Sequence, residues 1–235
     1  MQRYFASSRN GDCFFLRDGD LHHISNVMRM KSGDFVEVVF ENVLYKCKVL
    51  IGNSVDIVFD SIIDSCENDF FDVVLIVPVL KEQKMDYILQ KSTELGVSKI
   101  IPIVTERTVV KVNDKEAKKI DRWSKIVKEA SEQCKRYTIP VIDNVKKIDD
   151  LIFDDGVKLV CSTLKNQKSI KKIMHNVKEC AKMYIVVGPE GGLSMNEEKK
   201  LNELGFVSTS LGKRIMRVET VPLFILSILN YELME

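Results

Sequence analysis

Two stretches near the carboxyl end of the sequence constrain the fold most, because in each an apolar run of strand length ends in a glycine-bearing loop that opens a helix. In the first, residues 184–187 read YIVV and residues 188–192 read GPEGG. Ser194 and Glu197 have the spacing of a capping box, and Gly205 stands where a left-handed helix cap is expected. This pattern predicts a strand, a tight loop and a helix in direct succession.

The second stretch repeats this order. Residues 206–210 predict a strand, residues 211–217 (LGKRIMR) a loop, and Thr220 with Pro222 the start of the last helix. Two such units side by side would place both loops at the carboxyl ends of a parallel sheet, where open α/β sheets bind ligands. We therefore expect the active site to be built from these two loops.

Charged residues distinguish these loops from simple tight turns. Glu190 lies inside the first loop, and Lys213, Arg214 and Arg217 lie in the second. Turning of the chain explains the glycines but not the acid and the three cations. The sequence contains neither G-x-G-x-x-G nor G-x-x-x-x-G-K-[ST], so ordinary dinucleotide-binding and P-loop folds lose their main support.

The sequence divides into two domains. Residues 1–70 predict a small, mostly β domain with one short helix, and an acidic connector at 66–72 precedes residues 73–235. In the second domain apolar strand-like runs alternate with helical patterns, which predicts an α/β fold. The strands are expected at 34–40, 43–50 and 55–59 in the first domain, and at 73–79, 100–104 and 158–161 in the second; the helices are expected at 81–95, 114–136, 169–180, 194–204 and 220–233.

Charge is unevenly distributed along the chain. Residues 1–69 carry 7 Lys and Arg against 11 Asp and Glu, whereas the rest carries 28 against 23. Four lysines at 165, 168, 171 and 172 crowd the start of an expected helix, where cations oppose the helix dipole. Contact with phosphate explains that placement better than a structural role. For the helix at 114–136, where charges of both signs are mixed, a solvated face is about equally good as an explanation.

The spacing of the cysteines and the hydropathy of the chain indicate where in the cell the protein is expected. The six cysteines show no C-x-x-C or histidine-paired spacing, so neither a metal site nor a disulfide framework is expected. No run of about 18 apolar residues indicates a membrane span. We expect a cytoplasmic protein.

The last helix, residues 220–233, is apolar on nearly all sides. A helix at the surface of a monomer shows one apolar stripe, so this one needs cover from more than one direction. A second copy of the chain is the natural source of that cover, and burial within its own chain is the alternative.

The sequence as a whole resembles the RsmE-type 16S ribosomal RNA uridine N3-methyltransferases of the SPOUT superfamily. GPEGG at 188–192 and LGKRIMRVET at 211–220 together are specific, because the latter matches the pattern LGxRIxRxET. Further matching blocks run in family order along nearly the whole chain, at residues 3–5, 23–33, 84–86, 90–97 and 129–140.

This resemblance implies an N-terminal PUA-like β-barrel and a C-terminal SPOUT-type α/β domain with a trefoil knot. It implies a homodimer that acts on 16S rRNA or the small ribosomal subunit and uses S-adenosyl-L-methionine, without a metal. The implied cofactor-binding residues are Thr163, Leu164, Val187, Gly188, Pro189, Glu190, Gly191, Gly192, Leu211, Gly212, Ile215, Met216 and Arg217.

Methylation of the uridine N3 atom requires loss of its proton and leaves negative charge on the flanking carbonyl oxygens. Arg217 is expected to stabilise that charge, because guanidinium stays protonated. Glu190 is a candidate base or an orienter of the base; alternatively, it accepts backbone N–H bonds within its own loop. The expected RNA-binding residues are Arg3, Arg29, Lys165, Lys168 and Lys172.

The sequence departs from the family pattern at two places, and two other functions are alternatives. Val218 stands where family members usually carry Thr, and Val221 with Pro222 stands where Ala is usual. A SPOUT enzyme that methylates a ribose 2′-hydroxyl would share the cofactor loops. A noncatalytic RNA-binding or ribosome-assembly protein would share the fold.

Overall fold

The computed structural model describes residues 1–65, 71–110, 116–164, 167–174, 177 and 182–233. The chain forms two compact units. The first comprises Met1–Asp69 and Ser131–Thr138, and the second comprises Phe70–Ala130 and Ile139–Glu235. Residues 131–138 therefore belong with the first unit, although they lie inside the segment 73–235.

The first unit is a six-stranded sheet with one short helix. Its strand order is β1-β4-β5-β6-β3-β2, in which β1 and β4 are parallel and the other neighbours are antiparallel. The expected strands of this unit are confirmed, and three short ones before them are additional. The elements are β1 Arg3–Phe5, β2 Ser8–Asn10, β3 Cys13–Phe15, α1 Asp18–His22, β4 Phe35–Phe40, β5 Val43–Ile51 and β6 Val55–Ser65.

Alternating residues of these strands form the core of the first unit. Val36 and Val38 on β4 and Cys47 and Val49 on β5 are fully buried. This period of two is the signal that made β4 and β5 predictable from the sequence. By contrast, β1, β2 and β3 have only three residues each, too few for a pattern to emerge.

The second unit has an eight-stranded sheet whose described pairs are all parallel. Its order is β10-β8-β7-β13-β11-β14-β12, with β9 pairing to β8. The strands are β7 Asp72–Pro78, β8 Lys99–Val104, β9 Val141–Ile142, β10 Lys146–Lys147, β11 Val157–Cys161, β12 Lys168–Ser169, β13 Lys182–Val186 and β14 Val207–Ser210.

Both faces of this sheet are covered. Residues 73, 75 and 77 of β7 belong to one apolar cluster, and residues 74 and 76 belong to another. The helices are α2 Glu82–Glu94, α3 Glu116–Gln133, α4 Ile170–Met174, α5 Met195–Glu203 and α6 Thr220–Leu233. Residues of α2, α3, α4 and α6 pack in the first cluster, and Leu201 of α5 packs in the second.

The predicted parallel arrangement of the two glycine-bearing units is confirmed, with one correction. Strands β13 and β14 are both parallel to β11, which lies between them, so the two units are not direct neighbours. All three strands point the same way, and the loops that follow them leave the same edge of the sheet. A third loop, after β11, therefore joins the two that the sequence singled out.

Candidate functional site

A cleft of about 870 Å³ opens at this edge of the second unit. It is lined by the loops that follow β11, β13 and β14, together with Lys84 of α2 and Arg107 from the loop after β8. The structure brings together in its lining all the residues that the sequence analysis assigned to cofactor binding: Thr163, Leu164, Val187, Gly188, Pro189, Glu190, Gly191, Gly192, Leu211, Gly212, Ile215, Met216 and Arg217.

Glycine is favoured at two positions of the 188–192 loop for different reasons. A Cβ atom at Gly188 would lie 3.1 Å from the backbone nitrogen of Leu193, so a side chain there would fit only if the loop shifted by a few tenths of an ångström. Gly192 has φ +71° and no atom within 4 Å of its Cβ position. The backbone is in the left-handed region with open space beside it, which allows a ligand to approach the peptide groups closely.

The capping box predicted for α5 fixes the end of this loop. Ser194 Oγ accepts from the Glu197 backbone nitrogen at 3.2 Å, and Glu197 Oε2 accepts from the Ser194 nitrogen at 2.8 Å. The other carboxylate oxygen of Glu197 accepts from the backbone nitrogen of Glu106 at 2.8 Å. One carboxylate thus ties the first turn of α5 to the loop after β8.

Arg107, in the loop after β8, supports the 188–192 loop through a hydrogen bond. Its Nη1 atom donates to the carbonyl oxygen of Gly191 at 2.6 Å. A Cβ atom on Gly191 would approach the Arg107 side chain to 3.3 Å. The guanidinium therefore fixes the orientation of a peptide group that lines the cleft.

Several side chains of the 211–217 loop point outward. Ile215 is 83% exposed, and the Arg217 side chain is 85% exposed. The backbone is nevertheless anchored, because the Arg217 carbonyl oxygen accepts from the Thr220 nitrogen at 2.9 Å at the start of α6. Val218 is 5% exposed and packs in the core, so the position where the family usually carries Thr suits an apolar side chain here.

Lys84 joins the two glycine-bearing segments of the cleft. Its Nζ atom lies 2.7 Å from Glu190 Oε1 and 3.7 Å from Glu219 Oε2. Glu219 Oε1 lies in turn 4.0 Å from Arg217 Nη1. The hydrogen bond from Lys84 lowers the pKa of the Glu190 carboxyl, and the same bond raises the pKa of Lys84. Two acids and two bases of this edge thus form one chain of ion pairs.

The arrangement suits a ligand with a flat apolar part and a cationic part. Val187, Leu211 and Met216 offer apolar walls, the open peptide groups offer hydrogen bonds, and the carboxylates attract positive charge. Among the described residues, no three His, Cys, Asp or Glu side chains gather in a way that could hold a metal ion.

Comparison with known proteins identifies the family. An RNA methyltransferase domain model matches residues 66–230, and an RNA methyltransferase PUA domain model matches residues 16–60. The ribosomal RNA small subunit methyltransferase E of Bacillus subtilis is 35% identical and that of Aquifex aeolicus 32%; the alignments cover 99% and 97% of this chain, and 97% and 99% of those proteins. The chain belongs to the ribosomal RNA small subunit methyltransferase E family.

Solved structures of the methyltransferase E family and similar proteins have the same fold. The Neisseria gonorrhoeae ribosomal RNA small subunit methyltransferase E bound to S-adenosyl methionine superimposes with a TM-score of 0.86, at 28% identity, over 98% of this chain and 97% of that one. A methyltransferase structure from Legionella pneumophila with bound cofactor SAM gives 0.89 at 27%, over 97% and 96%. The α/β methyltransferase fold and the PUA-like N-terminal domain expected from the sequence are confirmed.

The residues expected to contact RNA differ in how far their side chains are exposed to solvent. Arg29 is exposed with φ +51°, and Lys168 and Lys172 are exposed. Lys165 lies outside the described residues. The expectation that Arg3 contacts RNA needs a correction.

Arg3 is 5% exposed and does not present its guanidinium to solvent. Its Nε atom donates to Glu37 Oε2 at 2.9 Å, and its Nη1 atom donates to the carbonyl oxygens of Lys135 and Arg136. Arg3 therefore holds residues 131–138 in the first unit. The sequence could not reveal this role, since Lys135 and Arg136 lie more than 130 positions away from Arg3.

Sequence reasoning assigned no role to Lys84, Arg107 or Glu219, which are among the residues that line the cleft. Lys84 and Glu219 both lie in blocks that carry the resemblance to the methyltransferase E family, which was the available signal. Their contacts depend on loops from distant parts of the sequence. Only the fold brings them together.

Proposed function

We propose that this protein transfers a methyl group from S-adenosyl-L-methionine to the N3 atom of a uridine in 16S rRNA. The observation that carries the proposal is the single cleft in which the GPEGG loop, the LGKRIMR loop and the loop after β11 converge. Membership in the methyltransferase E family supports the RNA substrate, and the SAM-bound relatives support the methyl donor.

The residues of the cleft fit the donor. The space beside Gly192 and Gly212, both at positive φ with no atom within 4 Å of the Cβ position, leaves peptide groups accessible for an adenine and a ribose. The carboxylate of Glu190 suits the positive charge of the donor. When bound, S-adenosyl-L-methionine supplies an activated methyl group, so the protein needs neither a metal nor a covalent nucleophile.

Arg217 is the residue we assign to charge stabilisation. When the uridine nitrogen loses its proton, negative charge spreads to the two flanking carbonyl oxygens. The exposed guanidinium of Arg217, at the rim of the cleft, can donate two hydrogen bonds to that charge and remains protonated throughout. Glu190 keeps its loop in place through Lys84.

We propose that the phosphates of the RNA bind along a basic edge formed by Lys168, Lys172, Lys213 and Arg214. All four are exposed. Lys168 on β12 is in register with Thr209 on β14, directly before the loop that carries Lys213 and Arg214. The sheet therefore places Lys168 next to the end of the strand that leads into this loop. In the first unit, Arg29 is a further proposed phosphate contact.

The finer points of architecture are also proposals. We propose that the cofactor loops thread a trefoil knot, as the resemblance to SPOUT enzymes implies, and that the protein is a cytoplasmic homodimer. Five residues of α6 are buried within the chain, whereas Phe224 and Ile228 are only partly covered and Tyr231 is 78% exposed. These three side chains recur at the spacing of one helix face, which a second copy would cover. No helix among the described residues combines the length and apolarity required to cross a bilayer.

The decisive experiment is methyl incorporation from labelled S-adenosyl-L-methionine into purified small ribosomal subunits, with the modified nucleoside identified by mass spectrometry. We expect 3-methyluridine. A 2′-O-methylated nucleoside would instead indicate ribose methylation, and the absence of any transfer, with retained RNA binding, would indicate a noncatalytic protein.

A further inference from the structure

Three carboxylates line the cleft, on Glu190, Glu198 and Glu219. The proposed function requires that a proton leave the uridine nitrogen, and a carboxylate close to Arg217 is the group best placed to receive it. Among the described residues, Glu219 alone of the three forms an ion pair with Arg217, at 4.0 Å. The three acids are therefore not equivalent.

Glu190 is poorly suited to accept a proton. Its Oε1 atom is the acceptor of a 2.7 Å hydrogen bond from Lys84, which lowers the pKa of the carboxyl. A carboxylate with a lowered pKa is a weaker base, and protonation would break the bond to Lys84. Through this bond to Lys84, Glu190 holds the 188–192 loop against α2.

Glu219 differs in the one respect that matters for proton transfer. Its Oε2 atom is buried and has no hydrogen-bond partner among the described residues. The nearest cation, Lys84 Nζ, is 3.7 Å away, beyond hydrogen-bond distance. Glu219 therefore lacks the hydrogen bond that makes Glu190 a weaker base, and its side chain, which is 19% exposed, still lines the cleft.

The turn that carries Glu219 is rigid. Val218 before it is 5% exposed, and Val221 after it is 8% exposed. The Thr220 and Val221 nitrogens both donate to the Arg217 carbonyl oxygen, at 2.9 and 3.2 Å. The backbone that bears the guanidinium and the carboxylate is thus a single turn fixed to the start of α6.

We propose that Glu219, rather than Glu190, accepts the proton of the methylated nitrogen, and that Lys84 is a positioning residue that separates the roles of the two acids. This inference rests on the proposed function. The N–H bond breaks and its proton passes to the Glu219 carboxylate. The nitrogen electron pair forms the bond to the methyl carbon as the sulfur–methyl bond of the donor breaks, and the electrons of that bond remain on sulfur. The protonated carboxyl then releases its proton to water.

The test compares Glu219→Gln and Glu190→Gln with wild-type protein, using methyl incorporation into small-subunit RNA between about pH 6 and pH 9. We expect Glu219→Gln to lower kcat at pH 7 by about 10²-fold or more, the usual contribution of a general base. Without the carboxylate the proton must leave to hydroxide, so log kcat should rise with pH at a slope near one, whereas the wild-type profile stays flat. Glu190→Gln should raise KM for the donor and keep the flat profile.

A second readout separates proton transfer from structure. Calorimetric affinity of Glu219→Gln for S-adenosyl-L-methionine should stay within about threefold of wild type, and Glu219→Asp should recover part of kcat with a flat profile. Glu203→Gln on α5, where the side chain is 65% exposed, is a matched control that should change nothing. Lys84→Met should free Glu190 and weaken donor binding more than it lowers kcat.

The outcomes discriminate between this inference and the function on which it rests. If wild-type protein produced no 3-methyluridine, the proposed function would fail. If wild type produced it and Glu219→Gln kept its rate and flat profile, only the assignment of Glu219 would fail. A loss of donor affinity as large as the loss of kcat, or a pH slope in Glu190→Gln instead, would also overturn the assignment. If Glu219→Gln did not fold, Glu219→Asp would serve as the test instead. A pH-dependent rate in Glu219→Asp would then overturn the assignment.

Discussion

Arg217 combines an anchored backbone with an almost fully exposed side chain. Truncation should therefore affect the reaction and leave the fold intact. We predict that Arg217→Ala lowers kcat by about 10²-fold or more, the cost of removing one preorganised donor to a developing oxyanion. Calorimetry should give a donor affinity within a few fold of wild type, and the midpoint of thermal unfolding should not change. Unchanged turnover would remove Arg217 from the mechanism.

Arg3 presents the opposite case, since its side chain is 6% exposed and its donors are used within the first unit. We predict that Arg3→Ala destabilises the protein by about 3 kcal/mol, because it leaves Glu37 and two carbonyl oxygens short of a donor. Urea unfolding measures this change. Arg17→Ala, an exposed site before α1, is the matched control and should stay within about 0.5 kcal/mol of wild type.

The stabilisation that involves Glu37 should also depend on pH. Burial tends to raise the pKa of Glu37, but hydrogen bonds from Lys135 and Arg3 outweigh it, and the net effect lowers the pKa below the ordinary 4.5. The contribution is therefore complete above about pH 4.5 and is lost as the pH falls through the lowered value. In Arg3→Ala this acid-dependent part should be smaller. An identical pH dependence in both proteins would contradict the assigned bond.

At the scale of elements, the predictable parts of the fold were those with a strong local signal. β7 is a continuous apolar run, α5 carries its own capping box, and α6 was expected at 220–233 and is observed at Thr220–Leu233. The helix expected at 169–180 is observed as α4 Ile170–Met174, and most of the rest of that span lies outside the described residues. The position of β11 between β13 and β14 could not be predicted, because sheet order depends on packing between distant segments.

The glycine loop after β13 gives a prediction at this scale. Gly192 has φ +71°, and no protein atom lies near its Cβ position. Gly192→Val would place a β-branched side chain in a strained backbone conformation and into the open space of the cleft. We expect donor binding to fall below calorimetric detection. Gly11→Val is the matched control, since Gly11 has φ +57° and equally open surroundings in the first unit. It should cause similar strain, of about 1–3 kcal/mol, with unchanged donor affinity.

At the scale of the whole molecule, the net charge of +1 is the sum of an acidic part and a basic part of the chain. The acidic excess lies before residue 70 and the basic excess after it, but several cations of the second part are paired with acids of the same unit. Arg122 is bonded to Asp86 and Glu82, and Lys182 pairs with Asp72 and Asp154. Such lysines and arginines are not available to a phosphate. Sequence composition alone could not separate them from the exposed cations of the basic edge.

The exposed cations of this edge predict a salt-dependent affinity for RNA. Each phosphate contact releases a counterion, so the logarithm of the association constant falls linearly with the logarithm of salt concentration. Replacing Lys168 and Lys172 together by Gln should reduce that slope by about 1.4, the value for two contacts to single-stranded RNA. The control is Lys125→Gln with Lys199→Gln, which removes two lysines that are 61% and 77% exposed and already paired with acids on their own helices. Fluorescence titration of a small-subunit RNA fragment at several salt concentrations measures both slopes. An equal reduction in the two double variants would mean that total charge, rather than this edge, determines RNA binding.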